Sequence, residues 1–436
     1  MLVKVTIEVD GRQAGSFERE VSGTAAEVEE EVQAVKQRTG KIVLEHAFCR
    51  LGREMSAGCC CGKTMSSRGM RSLTLETTSG RVIVERRRCR CSVCGREEYP
   101  ADAQLCTGPH LISRPLSKRI CQLATVEHFT RLPGLLLDQH GVTLGHETIL
   151  NLVHDVGTAA DVQRRAESEQ VLHRAPEAAK EIVPQFHPQR LYISCDGIMY
   201  CTNQTEPVAG QPGVKRLIWQ QMKVGCVYWQ DAQENWNKQM IWGRESPQEF
   251  GAALFRLACR CGYLEASEKI FAADGGAWCW DIRDEYFGAA QGILDWYHAS
   301  EHVWEAARKV ERDQAEIKIW VKLALDQMHV RGGAGLVDWL RQQQRQRRGR
   351  ARDAITQLLA YVEPKTELMA YPEYRDRDYQ IGTGMIESTC KQLVGLRLKG
   401  PGMHWTELGA LAVTALRATD FNQQWHSFWR NLTLTA

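Results

Sequence analysis

Asp196 and Asp274 each close an apolar run, LYISCD from Leu191 and KIFAAD from Lys269, and each is followed by glycine. Such runs read as buried strands. The pattern therefore predicts two carboxylates side by side at the carboxyl edge of one sheet, where open α/β sheets hold their ligands. Like charges placed this way repel and raise at least one pKa unless a cation neutralises them. A third acid follows in Gly382-Thr383-Gly384-Met385-Ile386-Glu387. It lies in the first turn of a predicted helix that continues through Lys391 and Leu393 and packs beside the sheet. Two Asp and one Glu offer hard oxygen ligands of the kind Mg²⁺ (or Mn²⁺) takes. Paired ions of that type support in-line displacement at a phosphodiester. Spacing alone does not single these three out of 53 acidic residues, and acids at strand ends commonly cap the next helix.

Cysteines form a second constellation. CRCSVCG, from Cys89 to Gly95, contains Cys91-x-x-Cys94-Gly95, whose glycine permits the tight turn that aims two thiolates at one metal. The partner arm comes from Cys59, Cys60 and Cys61. Position 58 is glycine, so this arm is either Cys59-x-Cys61 or one using Cys60, and Cys89 is a spare ligand for the other arm. The favoured set is a structural zinc on Cys59, Cys61, Cys91 and Cys94, although the spacer exceeds the usual ~15 to 20 residues of a ribbon. Reduced cysteines in a metal-free hairpin are the alternative. Arg86, Arg87, Arg88 and Arg90 beside the cluster suit either phosphate contacts or a solvated strand edge. Cys195, Cys259 and Cys261 read as small buried hydrophobes.

The elements that position these groups follow from patterning. Val3, Val5, Ile7 and Val9 share one face of a strand before an Asp10-Gly11 turn, and Thr24 caps a helix carrying Val28, Val32 and Val35 until Gly40 stops it. Leu73, Leu75 and Val82, Val84 flank Thr78-Ser79-Gly80 as a hairpin between the cysteine arms. From Leu116 to about Val171 the pattern is helical. There Gly141-Val142-Thr143-Leu144 resembles the turn of a helix-turn-helix whose second helix carries Glu147, Thr148 and Asn151, a unit suited to a DNA major groove or to plain packing. After Pro184 and Pro188, strands are expected in LYISCD, LIWQQMKVGCVYW, QMIWG, KIFAAD and AQGILD. A helix starting at the Ser246-Pro247-Gln248-Glu249 capping box interrupts them. Ala299 to about Val362 is strand-free and charged. Its cluster of Arg341, Arg345, Arg347, Arg348, Arg350 and Arg352 is either a solvated face or a phosphate contact.

A chain of 436 residues, 43% hydrophobic and 25% charged, is long enough for several cores and excludes collagen-like, coiled-coil and mostly disordered classes. The net charge of +2, from 55 basic and 53 acidic residues, carries no message about nucleic acid. Sixteen cysteines spread this thinly fit a reduced compartment with one metal cluster better than a disulfide scaffold. Without a ~18-residue apolar run or a signal pattern, the chain is expected to be soluble, unsecreted and free of membrane partners.

Five blocks in order, YISCDG, IFAADGGAW, ILDWYH, GTGMIEST and VGLRLKGPGMHW, resemble the signature blocks of DDE transposases. The resemblance is closest to the ISKra branch of bacterial insertion-sequence transposases, distantly similar to Mutator-type enzymes. It runs from the cysteine clusters to the C-terminal helix. It implies a multidomain α/β chain whose RNase H-like catalytic core holds metal through Asp196, Asp274 and Glu387 and carries an all-helical insertion. The implied layout is a small α/β unit (1–55), a zinc-ribbon-like module (56–110), a helical DNA-binding module (111–183), the first part of the core (184–298), the helical insertion (299–375) and the last part of the core (376–436). Asp295-x-x-His298 looks like the C/D-x-x-H motif of related transposases, which makes His298 a candidate phosphate contact. The competing reading is that Asp295 caps a helix against which His298 packs. Arg397, Lys399 and His404 become candidates for gripping DNA near the site, and Trp405 stacks on a base or fills core. Arg87, Arg88, Arg347 and Arg348 are further candidate DNA contacts, with a solvated face as the alternative for each cluster.

The implied activity is Mg-dependent cleavage at terminal inverted repeats and strand transfer into target DNA. A homo-oligomer on paired ends would carry it out in the bacterial cytoplasm, at the nucleoid. A catalytically silent DNA-binding descendant and an RNase H-like nuclease without strand transfer are the alternatives.

Overall fold

A computed structural model describes residues 1–172 and 179–434. The stretch 173–178 of the expected helical module lies outside them. The chain forms two compact units, one of residues 1–160 with the segment from Trp425 onward, the other of residues 161–424. It is a mixed α/β protein with three sheets among the described residues. Among the described residues no helix is long and apolar enough to cross a membrane.

In the first unit, β1 (Leu2–Val9) and β2 (Arg12–Glu20) form an antiparallel hairpin. Its turn takes left-handed φ at Asp10 (53°) and Gly11 (72°), the geometry that matches strand twist. Thr24 then caps the Ala25–Glu54 helix in a full capping box with Glu27. Gly40 does not end that helix. A Cβ there would come within 2.6 Å of Ser79 Oγ, and one at Gly52 within 2.5 Å of the Glu85 carbonyl, so both glycines serve close packing against the next hairpin. The face that packs is Leu44, Phe48 and Leu51 against Leu73, Leu75, Val82 and Val84, whereas Val32 faces solvent.

That hairpin is β3 (Ser66–Thr77) and β4 (Gly80–Arg90). With β5 (Glu97–Glu98), β6 (Cys106–Thr107) and β7 (His110–Ser113) it makes a sheet of order β5-β4-β3-β7-β6. Helices Arg114–Ala124, Leu132–His140 and His146–Leu172 follow, and Gly141 at φ 61° turns the chain between the last two.

The second unit is built on β8 (Arg190–Pro207), β9 (Lys215–Gln230), β10 (Trp236–Gly243), β11 (Glu268–Ala273) and β12 (Gln291–Leu294), in the order β10-β9-β8-β11-β12. The first three are antiparallel neighbours, and β11 runs parallel to both β8 and β12. The Pro247–Arg260 helix starts at the Ser246/Glu249 capping box and joins β10 to β11; the Ala277–Tyr286 helix joins β11 to β12. Phe250, Leu254, Phe271 and Phe287 fill the core between this sheet and these helices.

Beyond β12 the chain is helical: Trp296–Val310, Gln314–Gln346 with a kink at Gly332, Gly349–Val362, and after short turns Gly384–Cys390 and Glu407–Phe421. The last of these ends on buried Asn422, which closes both backbone groups of Met240 on edge strand β10, accepting at 2.8 Å and donating at 2.9 Å. Replacing Asn422 with Ala strands two buried backbone groups. A loss of about 2–3 kcal/mol in urea unfolding is expected.

Candidate functional site

The β3–β4 hairpin ends in two knuckles. In one, Gly62 donates to the Cys59 carbonyl at 2.9 Å and Cys59 to that of Lys63 at 2.8 Å. In the other, Gly95 donates to Cys91 at 3.2 Å and Cys91 to Arg96 at 2.8 Å. Both glycines hold the left-handed φ these turns need, 77° and 76°. Ladder pairs Ser66↔Arg90 and Ser67↔Cys89 bring the knuckles together. The sulfurs of Cys59, Cys61, Cys91 and Cys94 then lie within 4.8 Å of one another. Four sulfurs at ~2.3 Å from one zinc stand about 3.8 Å apart, so this set could hold a zinc ion.

The arm used is Cys59-x-Cys61. Cys60 is exposed, and Cys89 packs in a small core with Cys59, Met65 and Cys91, outside the set. Backbone amides of Cys94 and Val93 donate to the Cys91 sulfur and bring its pKa down to about 6, which favours a thiolate at neutral pH.

In the second unit, parallel pairing levels the acids. β11 pairs with β8 as far as Phe271↔Ile193, and three residues further along each strand stand Asp274 and Asp196. On the other side Ala273↔Leu294 leads directly to Asp274 and Asp295. Asp196 is not at a strand end: β8 continues to Pro207, because its antiparallel pairing with β9 persists past Asp196↔Val224. The glycine after it makes no turn. It leaves room for Gln221, whose side chain would lie within 2.1 Å of a Cβ at Gly197.

Asp196, Asp274, Glu387 and His298 line one cleft of about 270 Å³, with Tyr297 and Thr383 among its other walls. Burial, then the like charges of Asp274 and Glu387, push the Asp196 carboxyl above its usual range. A 2.6 Å hydrogen bond from the Gly197 amide and the nearby His298 work the other way. Among the described residues only the cysteines gather three or more metal-type donors this closely; the acids share a cleft without a tight cage.

Asp295 is 1% exposed and caps the Trp296–Val310 helix, accepting from the His298 amide at 2.7 Å. Its other oxygen accepts from the amide and hydroxyl of Thr383, the residue that opens the Glu387 helix. Thr383 Oγ1 also lies 3.3 Å from Glu387 Oε1. The capping reading of Asp295 is therefore right, and the His298 side chain nonetheless faces the cleft.

After Glu387 the helix widens into a π turn over Lys391–Gly395. Buried Arg417 meets the carbonyls it releases, donating from Nε to Leu393 at 2.8 Å and from its guanidinium to Gln392. Burial brings the Arg417 pKa down to about 10. Beside this turn a second groove, sharing Asp196 and Glu387, is lined by Gly197, Lys391, Leu396 and Lys399.

The remaining expected contact residues divide. Lys399, His404 and Arg348 are exposed and Arg87 is half-buried. Arg397 is 2% exposed with its guanidinium 4.9 Å from the Trp405 ring, so both expected DNA contacts are turned into the core, where Trp405 Nε1 donates to the Leu398 carbonyl. Arg88 is forked onto Glu97 and Arg347 is paired with Glu311. Sequence reasoning missed Thr383 and Arg417. A threonine before a helix is a cap signal that could have marked the first; the second has no local signature.

No protein-family model matches the chain, and no curated protein matches it.

Purified protein is expected to contain one zinc per chain by elemental analysis. Cys91→Ser should lose the metal and lower the melting temperature, whereas Cys60→Ser should keep both. Asp295→Ala removes the acceptor of three buried donors and should cost about 3 kcal/mol in chemical unfolding, by the usual price of unpaired buried groups.

Proposed function

We propose that the chain is a DDE transposase, its second unit an RNase H-like core with the helical stretch after β12 as an insertion. One observation carries the reading: three acids far apart in sequence, with His298, line a single cleft, two of them level on neighbouring parallel strands. The order of the five sequence blocks supports the same assignment.

The donor set fits a hard divalent cation. All three ligands are carboxylates, and Asp196 is held above its ordinary pKa partly by Asp274 and Glu387, a repulsion that bound positive charge relieves. Mg²⁺ or Mn²⁺, when bound, supplies charge neutralisation and Lewis acidity for displacement at phosphorus. Its preference for keeping several waters suits a cleft without a tight cage.

The chain's own residues do the rest. Asp196 and Asp274 are fixed by the sheet, and Glu387 by the Thr383–Asp295 hydrogen bonds. His298 faces the same space and contacts a phosphate oxygen there. Lys391 and Lys399, along the adjoining groove, neutralise flanking phosphates. In-line attack, first by water at an element end and then by the freed 3′ hydroxyl on target DNA, needs no covalent protein intermediate. The cysteine knuckles and the helical segment around Gly141 recognise the terminal inverted repeats. The protein works at the nucleoid as an oligomer on paired ends.

The test is cleavage and joining of DNA carrying the sequences that flank this gene, with Mg²⁺ or Mn²⁺. Native protein should give metal-dependent joined products. Asp196→Asn should reduce them to background while leaving the dissociation constant for end DNA within about twofold, because phosphate and base contacts set that affinity. Cut but unjoined products would make the chain a nuclease; binding without cutting by either protein would make it a silent DNA-binding descendant.

A further inference from the structure

The stretch between β12 and the Glu387 helix contains no strand, and besides the cleft residues Tyr297, His298 and Thr383 it brings a more distant side chain back toward Asp274. Tyr361, near the end of the Gly349–Val362 helix, lies over Gly275, the residue after Asp274: a Cβ at Gly275 would come within 2.8 Å of the Tyr361 hydroxyl and 2.9 Å of its ring. Only glycine leaves room for this approach. The hydroxyl oxygen is enclosed and makes no hydrogen bond among the described residues.

The ring is firmly held. His302 packs on it with centroids 3.9 Å apart, and Lys365 Nζ stands 4.2 Å over it while donating to the Tyr361 carbonyl at 3.1 Å. Burial first, then Asp274 and Asp295, push its pKa well up, so the hydroxyl stays a neutral donor. Asp274 accepts from the Gly276 amide through Oδ1 at 3.0 Å, and no donor reaches its Oδ2 among the described residues. An unpaired hydroxyl is thus held over the residue next to Asp274, whose charge acts on it. An enclosed, unpaired hydroxyl costs stability, and phenylalanine would fill the same space.

We propose that Tyr361 is a positioning residue of the acidic site, whose hydroxyl donates to the Asp274 carboxylate in the cation-loaded state and fixes which oxygen that side chain turns to the cleft. Outer hydrogen bonds of this kind orient ligands and tune their basicity. The inference rests on reading Asp196, Asp274 and Glu387 as a divalent-cation site.

The experiment compares native protein, Tyr361→Phe and Asp196→Asn in three measurements: Mn²⁺ binding by electron paramagnetic resonance, metal-free thermal unfolding, and end cleavage over a Mn²⁺ titration. Tyr361→Phe should bind Mn²⁺ about tenfold more weakly, melt at the same or a higher temperature, and cleave with a raised metal requirement that saturating Mn²⁺ restores. Unchanged Mn²⁺ affinity in Tyr361→Phe would overturn the proposal, whether or not its melting temperature falls. Native protein that binds Mn²⁺ no better than Asp196→Asn would overturn the cation site and this proposal together. Asp196-dependent Mn²⁺ binding that Tyr361→Phe weakens, without DNA cleavage by native protein, would uphold the positioning role and sink the transposase reading alone.

Discussion

β11 pairs through four residues with β8 on one side and through four with β12 on the other, and the geometry of the acidic cleft rests on that short parallel register. A slip of one residue would turn Asp274 to the opposite face of the sheet and separate it from Asp196. So little pairing holds because both faces of β11 are engaged. Phe271 and Ala273 on one face lie in the core with the Pro247–Arg260 helix, Ile270 and Ala272 on the other face are buried as well, and the Asp295 amide extends the ladder by donating to the Ala273 carbonyl at 2.9 Å. Asp295 then converts sheet register into helix position through its bonds to the His298 amide and to Thr383. A buried carboxylate that accepts from three donors is a satisfied group.

The segment after Glu387 shows a second compensation. A π turn leaves carbonyls without their usual helical partners, and such turns are rare and frequently found at functional sites. The buried guanidinium of Arg417, from the Glu407–Phe421 helix, supplies the donors. That exchange lets Glu387 on one side of the turn and Lys399 on the other border the same groove, at the cost of desolvating an arginine.

Much of this was legible beforehand because it is written in local patterns. Alternating Leu73, Leu75, Val82 and Val84 gave the hairpin, Ser246 and Glu249 the helix start, and the two apolar runs the strands that carry the acids. Cys59-x-Cys61 was readable as an arm because glycine at position 58 removed the usual spacing. What failed depended on partners distant in the chain. Gly40 looked like a stop until Ser79 was seen against it. Asp196 looked like a strand end because the apolar run stops there, whereas the strand itself persists through pairing with β9, which a single segment does not display. Arg397 looked like a surface group by type and is core by packing, while Trp405, open between a base stack and the core, takes the core position; burial of both depends on contacts that no spacing encodes.

The two cysteine knuckles sit at the open ends of a hairpin closed by a tight turn at Thr78-Ser79-Gly80. This arrangement has a bearing on the order of assembly. A hairpin forms in ~1–10 μs, and closing a loop costs entropy that grows with its length. Here strand pairing closes the loop before any ion arrives. An ion taken up by the four cysteines would therefore meet two half-sites already brought together and have little chain left to organise.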